Sequence, residues 1–166
     1  GVYLITGGAG GLGMLFAKEI AKRAKSPALI LTGRSELSPE KSAALKKLQD
    51  TGAKLLYKQA DISQRADVEA LIASIKADFG TLNGILHAAG SISDSFIIHK
   101  TPQEFKKTLA PKVAGTLCLH RATRDLQLDF FLLFSSIAGQ IGNPGQADYA
   151  TANAFMDAYA RTRKNQ

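Results

Sequence analysis

The chain has 166 residues, 45% of them hydrophobic and 21% charged, with a net charge of +7 and a single cysteine, Cys118. This is the make-up of one ordinary globular domain able to bury a sizeable core, and the lone cysteine excludes an internal disulfide. No apolar run approaches the roughly 20 residues of a membrane span, the first residues are not a signal peptide, and a reducing, cytoplasmic setting is the expectation. The elements then follow in order. A strand is expected at 2–5, followed by glycines and a helix with Leu12, Leu15, Phe16 and Ile20 facing inward. A second strand at 28–32 leads to a helix near 38–51 that opens Ser38-Pro39-Glu40, N-cap chemistry with proline in the first turn. After a strand at 54–57, a helix places Val68, Leu71, Ile72, Ile75 and Phe79 on one stripe, with Ser63 as its candidate cap. Further strands are expected at 84–87 and 130–135, and a helix should carry Tyr149 and Asn153 and end just before Gln166.

Apolar strands alternating with helices predict a parallel sheet covered on both faces, hence a doubly wound, Rossmann-type α/β domain over residues 1–166. Five strands are visible and such a fold carries at least one more, so the domain reads as C-terminally incomplete, a fragment of a longer multidomain chain. The basic residues are dispersed over 18–25, 41–47 and 106–112, with no basic run interleaved with aromatics. That argues against a nucleic-acid partner. A phosphate-bearing cofactor or an acidic protein is the expected acceptor of the charge, the plain alternative being a solvated basic surface.

Thr6-Gly7-Gly8-Ala9-Gly10-Gly11-Leu12-Gly13 lies between the first strand and the first helix. It contains Gly8-x-Gly10-x-x-Gly13, the spacing that lets backbone N–H groups reach a pyrophosphate at a helix N-terminus. The second strand runs into Gly33-Arg34-Ser35. A carboxylate there would bind a ribose 2′-hydroxyl; Arg34 instead matches a 2′-phosphate, which favours NADPH, although Glu36 two residues on would oppose this if it turned inward. Asp61, followed by Ile62, could accept a hydrogen bond from the adenine amine or serve only as a loop or cap residue. His87, His99 and His120 have no metal-ligand spacing, and Cys118 sits on an apolar helix face that points to core.

Ser136 and Tyr149 are thirteen positions apart, and Tyr149 and Asn153 are four apart, on one face of a helix. The glycine motif, His87-Ala88-Ala89-Gly90 and the Ser136/Tyr149 pair resemble the short-chain dehydrogenase/reductase superfamily. Lys112-Val113-Ala114-Gly115-Thr116, Phe134-Ser135-Ser136-Ile137-Ala138-Gly139 and Gly142-Asn143-Pro144-Gly145-Gln146-Ala147-Asp148-Tyr149-Ala150 resemble, more narrowly, ketoreductase domains of modular polyketide synthases and animal-type fatty acid synthases. In those domains the lysine and asparagine of the catalytic tetrad are exchanged, as Lys112 and Asn153 are here.

The resemblance implies reduction by NADPH of a β-ketoacyl thioester carried on the phosphopantetheine arm of an acyl carrier protein, within a chain of other synthase domains. Tyr149 would donate the proton, Ser136 would hydrogen-bond the carbonyl oxygen, and Lys112 would lower the tyrosine pKa from its free value of about 10 and orient the cofactor. Asn153 would complete the proton relay. The resemblance also places the cofactor against Thr6, the glycine loop, Arg34, Ser35, Asp61, Ile62, Ala88, Ala89 and Gly90. Read as residues alone, Tyr149 could be a packing aromatic, Ser135 the reactive serine and Lys112 a solvated helix lysine. Ser91-Ile92-Ser93-Asp94 keeps the last acid of the Leu-Asp-Asp motif of family members that give a D-hydroxyl product. Ile141 stands where the other stereochemical class has tryptophan, and Gln146 where some of that class have histidine. A D-hydroxyl product is therefore expected, Asp94 and Gln146 being the stereocontrol candidates; Asp94 could also be a loop-solvated acid. Competing readings are a free-standing reductase of small ketones and a structural domain without activity.

Overall fold

The computed structural model describes residues 1–50 and 52–164. The strands β1 (Val2–Thr6), β2 (Ala28–Gly33), β3 (Lys54–Gln59), β4 (Gly84–His87) and β5 (Phe130–Leu133) form one sheet in the order β3-β2-β1-β4-β5. Every pairing is parallel. Helices α1 (Gly11–Arg23) and α2 (Pro39–Gln49) cover one face, and α3 (Arg65–Phe79) and α5 (Ala114–Thr123) the other. Successive residues of β1 divide between the faces: Val2 and Leu4 pack with Val68, Ile72, Ile75 and Leu119, whereas Ile5 packs with Ala17, Leu45 and Leu48. Cys118 belongs to the first of these cores. The winding reverses at β1, which lies between β2 and β4, so a crevice opens beyond the carboxyl ends of β1 and β4.

The second half adds α4 (Pro102–Lys112), the short α6 (Ala138–Ile141) and α7 (Ala147–Lys164), which packs on both. α4 starts at a complete capping box, with Thr101 Oγ1 accepting from the Glu104 amide at 3.2 Å and Glu104 Oε2 accepting from the Thr101 amide at 2.8 Å. Ser38 caps α2 as its sequence implies, accepting from the Lys41 amide. Thr51, the expected last residue of that helix, and Gln166, expected just past α7, lie outside the described residues. Among the described residues no helix is long and apolar enough to cross a membrane, and no group of His, Cys, Asp and Glu is arranged to hold a metal ion.

Three expectations are corrected. Leu12 and Leu15 do not face inward but are 43% and 57% exposed; Gly13, Ala17 and Ala21 take the sheet-facing positions, because small residues let α1 lie close to the strands. Ser63 does not cap α3. Its amide and hydroxyl both donate to Asp61 Oδ1, at 3.0 and 2.7 Å, in a turn closed by the aspartate two residues upstream, and the N-cap position falls instead on Gln64. β5 is not buried on both faces: it is an edge strand, and Phe130 and Leu132 are exposed on it.

Candidate functional site

The glycine loop turns tightly after β1. Gly7 has φ +64°, and a side chain there would also run into Ala88 and Ala89 at 2.9 Å, so the loop lies directly on the end of β4. A Cβ on Gly13 would meet Gly7 O and Gly8 Cα at 2.6 Å, which is how the helix comes close enough for its N-terminus to share a surface with the loop. Gly8 is pinned by its amide to Thr32 O at 3.1 Å. Gly10 is the N-cap of α1 and offers no side-chain acceptor, so the amides of Gly11, Leu12 and Gly13 have no intrahelical partner. Nothing lies within 4 Å of where a Gly11 Cβ would stand. Free donors, the positive end of the helix dipole and an open approach together fit a pyrophosphate.

Beside this cradle lies a depression bordered by Gly7, Gly33, Arg34 and Ser35. Tyr57 donates its hydroxyl to Ser35 O, and Gln59 Nε2 donates to Arg34 O at 2.8 Å, so β3 braces the backbone of this loop. The Arg34 side chain is exposed and, among the described residues, has no ion-pair partner. Glu36 and Lys41 border the same depression and are also exposed. A second hollow is bordered by Asp61, Ile62, Ser63, Ala89 and Gly90, and Ile62 is also part of the buried core. Asp61 uses Oδ1 on Ser63 and its amide on Asp67, whose Oδ2 accepts at 2.9 Å.

Thr6 and His87 are spent inside the fold. The ring of His87 is fully buried, with Nε2 3.0 Å from Pro111 O and Nδ1 2.6 Å from Thr6 Oγ1. A carbonyl only accepts, so Nε2 carries the proton; Nδ1 then accepts from Thr6, whose oxygen in turn accepts from the Ala89 amide at 3.3 Å. Burial, reinforced by the nearby Lys112 charge, pushes the His87 pKa down to about 4. This neutral histidine ties β1, β4 and the end of α4 together, and so sets where Ala88-Ala89-Gly90 and Lys112 stand.

Lys112, the last residue of α4, is 6% exposed. Its Nζ donates to Phe134 O at 2.7 Å, lies 3.6 Å from Met156 Sδ and stands 5.7 Å from the centre of the Tyr149 ring. Burial lowers its pKa to about 8, opposed by the charge of Asp157. It is not a solvated helix lysine. One turn after Tyr149, Asn153 donates Nδ2 to Tyr149 O at 2.7 Å, while its Oδ1 is buried without a partner among the described residues. Such an atom is costly unless a ligand or water supplies a donor.

The serine alternatives separate. Ser135 Oγ donates to Asn153 O at 3.2 Å, a structural use, whereas Ser136 Oγ only accepts, from the Ala138 amide at 3.3 Å, and keeps its proton to donate. Both are held against α7 because Gly139 allows it: a Cβ there would stand 2.8 Å from Ala154 N and 3.0 Å from Asn153 C. Asp94 and Gln146 also meet, Nε2 lying 3.1 and 3.0 Å from the two carboxylate oxygens. No pattern in the chain pointed to the Phe134 carbonyl, to Met156 or to the close approach at Gly139, whereas His87, whose lack of ligand spacing reads as structural or exposed, is structural.

The model for the KR domain matches residues 1–166. Polyketide synthase PksN of Bacillus subtilis (strain 168) is 55% identical over 98% of this chain, and polyketide synthase PksL of the same organism is 52% identical over 100%. The chain spans only 3% and 4% of those two proteins. Among solved structures, a ketoreductase domain from the bacillaene assembly line superposes with a TM-score of 0.98 at 55% identity, covering 99% of this chain and 40% of that one. An N-terminal ketoreductase from the macrolactin assembly line gives 0.95 at 52% identity, covering 99% and 34%. With its parallel sheet, glycine cradle and Lys112–Tyr149–Asn153 cluster, the chain belongs to the ketoreductase-domain family of polyketide synthases, on the short-chain dehydrogenase/reductase fold.

Proposed function

We propose that the chain is the NADPH-binding catalytic part of a ketoreductase domain within a larger synthase. It reduces the β-keto group of a thioester, held on the phosphopantetheine arm of an acyl carrier protein, to a β-hydroxyl. The observation that carries this reading is the buried Lys112 ammonium 5.7 Å from the Tyr149 ring, delivered by a helix 37 positions earlier in the chain rather than by the tyrosine's own helix. A bound reduced nicotinamide supplies the hydride. The cradle of Gly7, Gly8, Gly10, Gly11, Leu12 and Gly13 holds the pyrophosphate through backbone amides, and Arg34 with Ser35 receives the 2′-phosphate.

Tyr149 gives its phenolic proton to the carbonyl oxygen as negative charge builds there, and Ser136 donates a second hydrogen bond to the same oxygen. Lys112 uses one of its three N–H groups on Phe134 O and directs another at Met156. The third is left for the tyrosine oxygen, whose anionic form it stabilises, and for the cofactor ribose. Asn153 offers its unpartnered Oδ1 to a water that returns the proton. Asp94, tied to Gln146, borders the side from which the acyl chain is read, and the product is the D-hydroxyl.

The test follows NADPH consumption by the full-length protein with a β-ketoacyl thioester on its carrier protein, with chiral analysis of the product. Turnover giving mainly the D-hydroxyl is expected. No consumption sinks the reductase reading, NADH working as well as NADPH sinks the role of Arg34, and an L-hydroxyl product sinks the stereochemical assignment.

A further inference from the structure

An ion pair with no part in that chemistry lies immediately before Tyr149. Lys100 Nζ and Asp148 Oδ2 are 2.9 Å apart, with side chains only 2% and 1% exposed. Taking two charges out of water costs more than a lone pair commonly returns, so a pair like this stands only where further hydrogen bonds use the remaining donors and acceptors. Here they run to two different segments. Lys100 Nζ also donates to Ser93 O, in the loop that follows β4. Asp148 Oδ1 accepts the Tyr149 amide at 2.9 Å in the first turn of α7. Burial pushes the Asp148 carboxyl up, but hydrogen bonds from Lys100, Thr108 and the Tyr149 amide outweigh it and hold the group below the usual carboxylate value.

Two weaker links run parallel: the Ser95 amide donates to Gly145 O at 2.9 Å, and the half-buried Gln146 side chain grips the exposed Asp94. Contacts open to water hold a geometry loosely, whereas a desolvated, charge-assisted pair holds it firmly. The loop itself has few other anchors, since Ile92, Phe96, Ile97 and Ile98 on it are all exposed. The geometry points to Lys100 and Asp148 as positioning residues that clasp the 91–99 loop to the first turn of α7. The clasp keeps Asp94 and the Tyr149 hydroxyl in one relative orientation, and thereby decides which face of the ketone is presented for reduction. This rests on Tyr149 being the proton donor.

The experiment uses the full-length protein carrying Asp148→Asn, Lys100→Met or both. Asp148→Asn keeps the shape of the side chain and its acceptor for the Tyr149 amide, but removes the charge. The expected result is a kcat lowered about tenfold, an NADPH dissociation constant within about twofold of the parent, and a minor enantiomer rising to about a tenth of product. Each single variant loses thermal stability because one buried charge is left alone, and the double variant regains it. Loss of stereochemical purity that persists in the stable double variant supports the clasp. Parental kcat and enantiomer ratio in the double variant overturn it, leaving the pair a purely structural contact. Should Lys100→Met fail to fold, Asp148→Asn decides alone, and unchanged stereochemical purity there overturns the proposal. Tyr149→Phe assayed in parallel separates the two readings, because full turnover in that variant removes the proton-donor assignment, whatever the clasp variants do.

Discussion

Around the mouth of β1 the binding surface is backbone, while around the end of β5 it is side chain. Gly7, Gly10 and Gly13 form their cradle within one turn and an adjoining helix, packed so closely that a side chain at Gly7 or Gly13 would meet backbone. The proposed catalytic cluster draws Lys112 from α4, Ser136 from the turn after β5 and Tyr149 and Asn153 from α7, and it keeps a lysine almost wholly out of water. A phosphate-binding site needs many weak donors in fixed positions, which a glycine turn supplies without burying any charge. An acid–base site needs charge placed in a low-dielectric surrounding, and that must be assembled across the fold and costs stability.

The contrast can be broken from the catalytic side first. Tyr149→Phe should lower kcat about 1,000-fold while NADPH binding, followed by fluorescence titration, stays unchanged; coupled loss of both would show that the two regions are not separable. Lys112→Met should lower kcat about 100-fold yet raise the thermal midpoint at pH 7. The Lys112 pKa is depressed to about 8, so stability is fullest above the unfolded value and is lost as pH falls through 8; at pH 7 the fold carries the whole cost of the buried charge. Removing that charge should stabilise by about 1–2 kcal/mol, and denaturant titration at pH 7 measures it.

On the cofactor side, Arg34→Ala should weaken NADPH binding about tenfold and leave NADH binding unchanged, as read from the two dissociation constants. Both regions also share a pH dependence through His87. Its folded pKa of about 4 lies below the ordinary 6.5, so its contribution is present above pH 6.5 and is lost as pH falls toward 4. The loss amounts to about 3 kcal/mol, and unfolding curves between pH 7 and pH 4 should show it. His87→Asn should flatten that part of the curve.

Much of the candidate cofactor region was legible because its determinants are contiguous. A strand, a glycine spacing and a helix occupy the first 23 residues, and Arg34 follows the next strand directly. Misreading Leu12 and Leu15 as inward has the same local origin: the close approach that the glycines permit is what turns Ala17 and Ala21, rather than leucines, toward the sheet. The spacing of Ser136, Tyr149 and Asn153 pointed to them and favoured Ser136 over Ser135, but that Ser135 is used on the Asn153 carbonyl depends on where that carbonyl ends up. The Lys100–Asp148 pair joins positions 48 apart with no pattern in the chain to link them.

Strand and helix alternation was thus determined by the sequence itself, as were the glycine turn and the set of side chains proposed to react, because hydrophobic periodicity and glycine geometry act over a few residues. Tertiary structure alone decided that Lys112 reaches Tyr149, that His87 is a neutral brace and that Ser135 is spent. Each of those follows from burial and from the acceptor that a distant segment happens to present, and burial is a property of the packed whole.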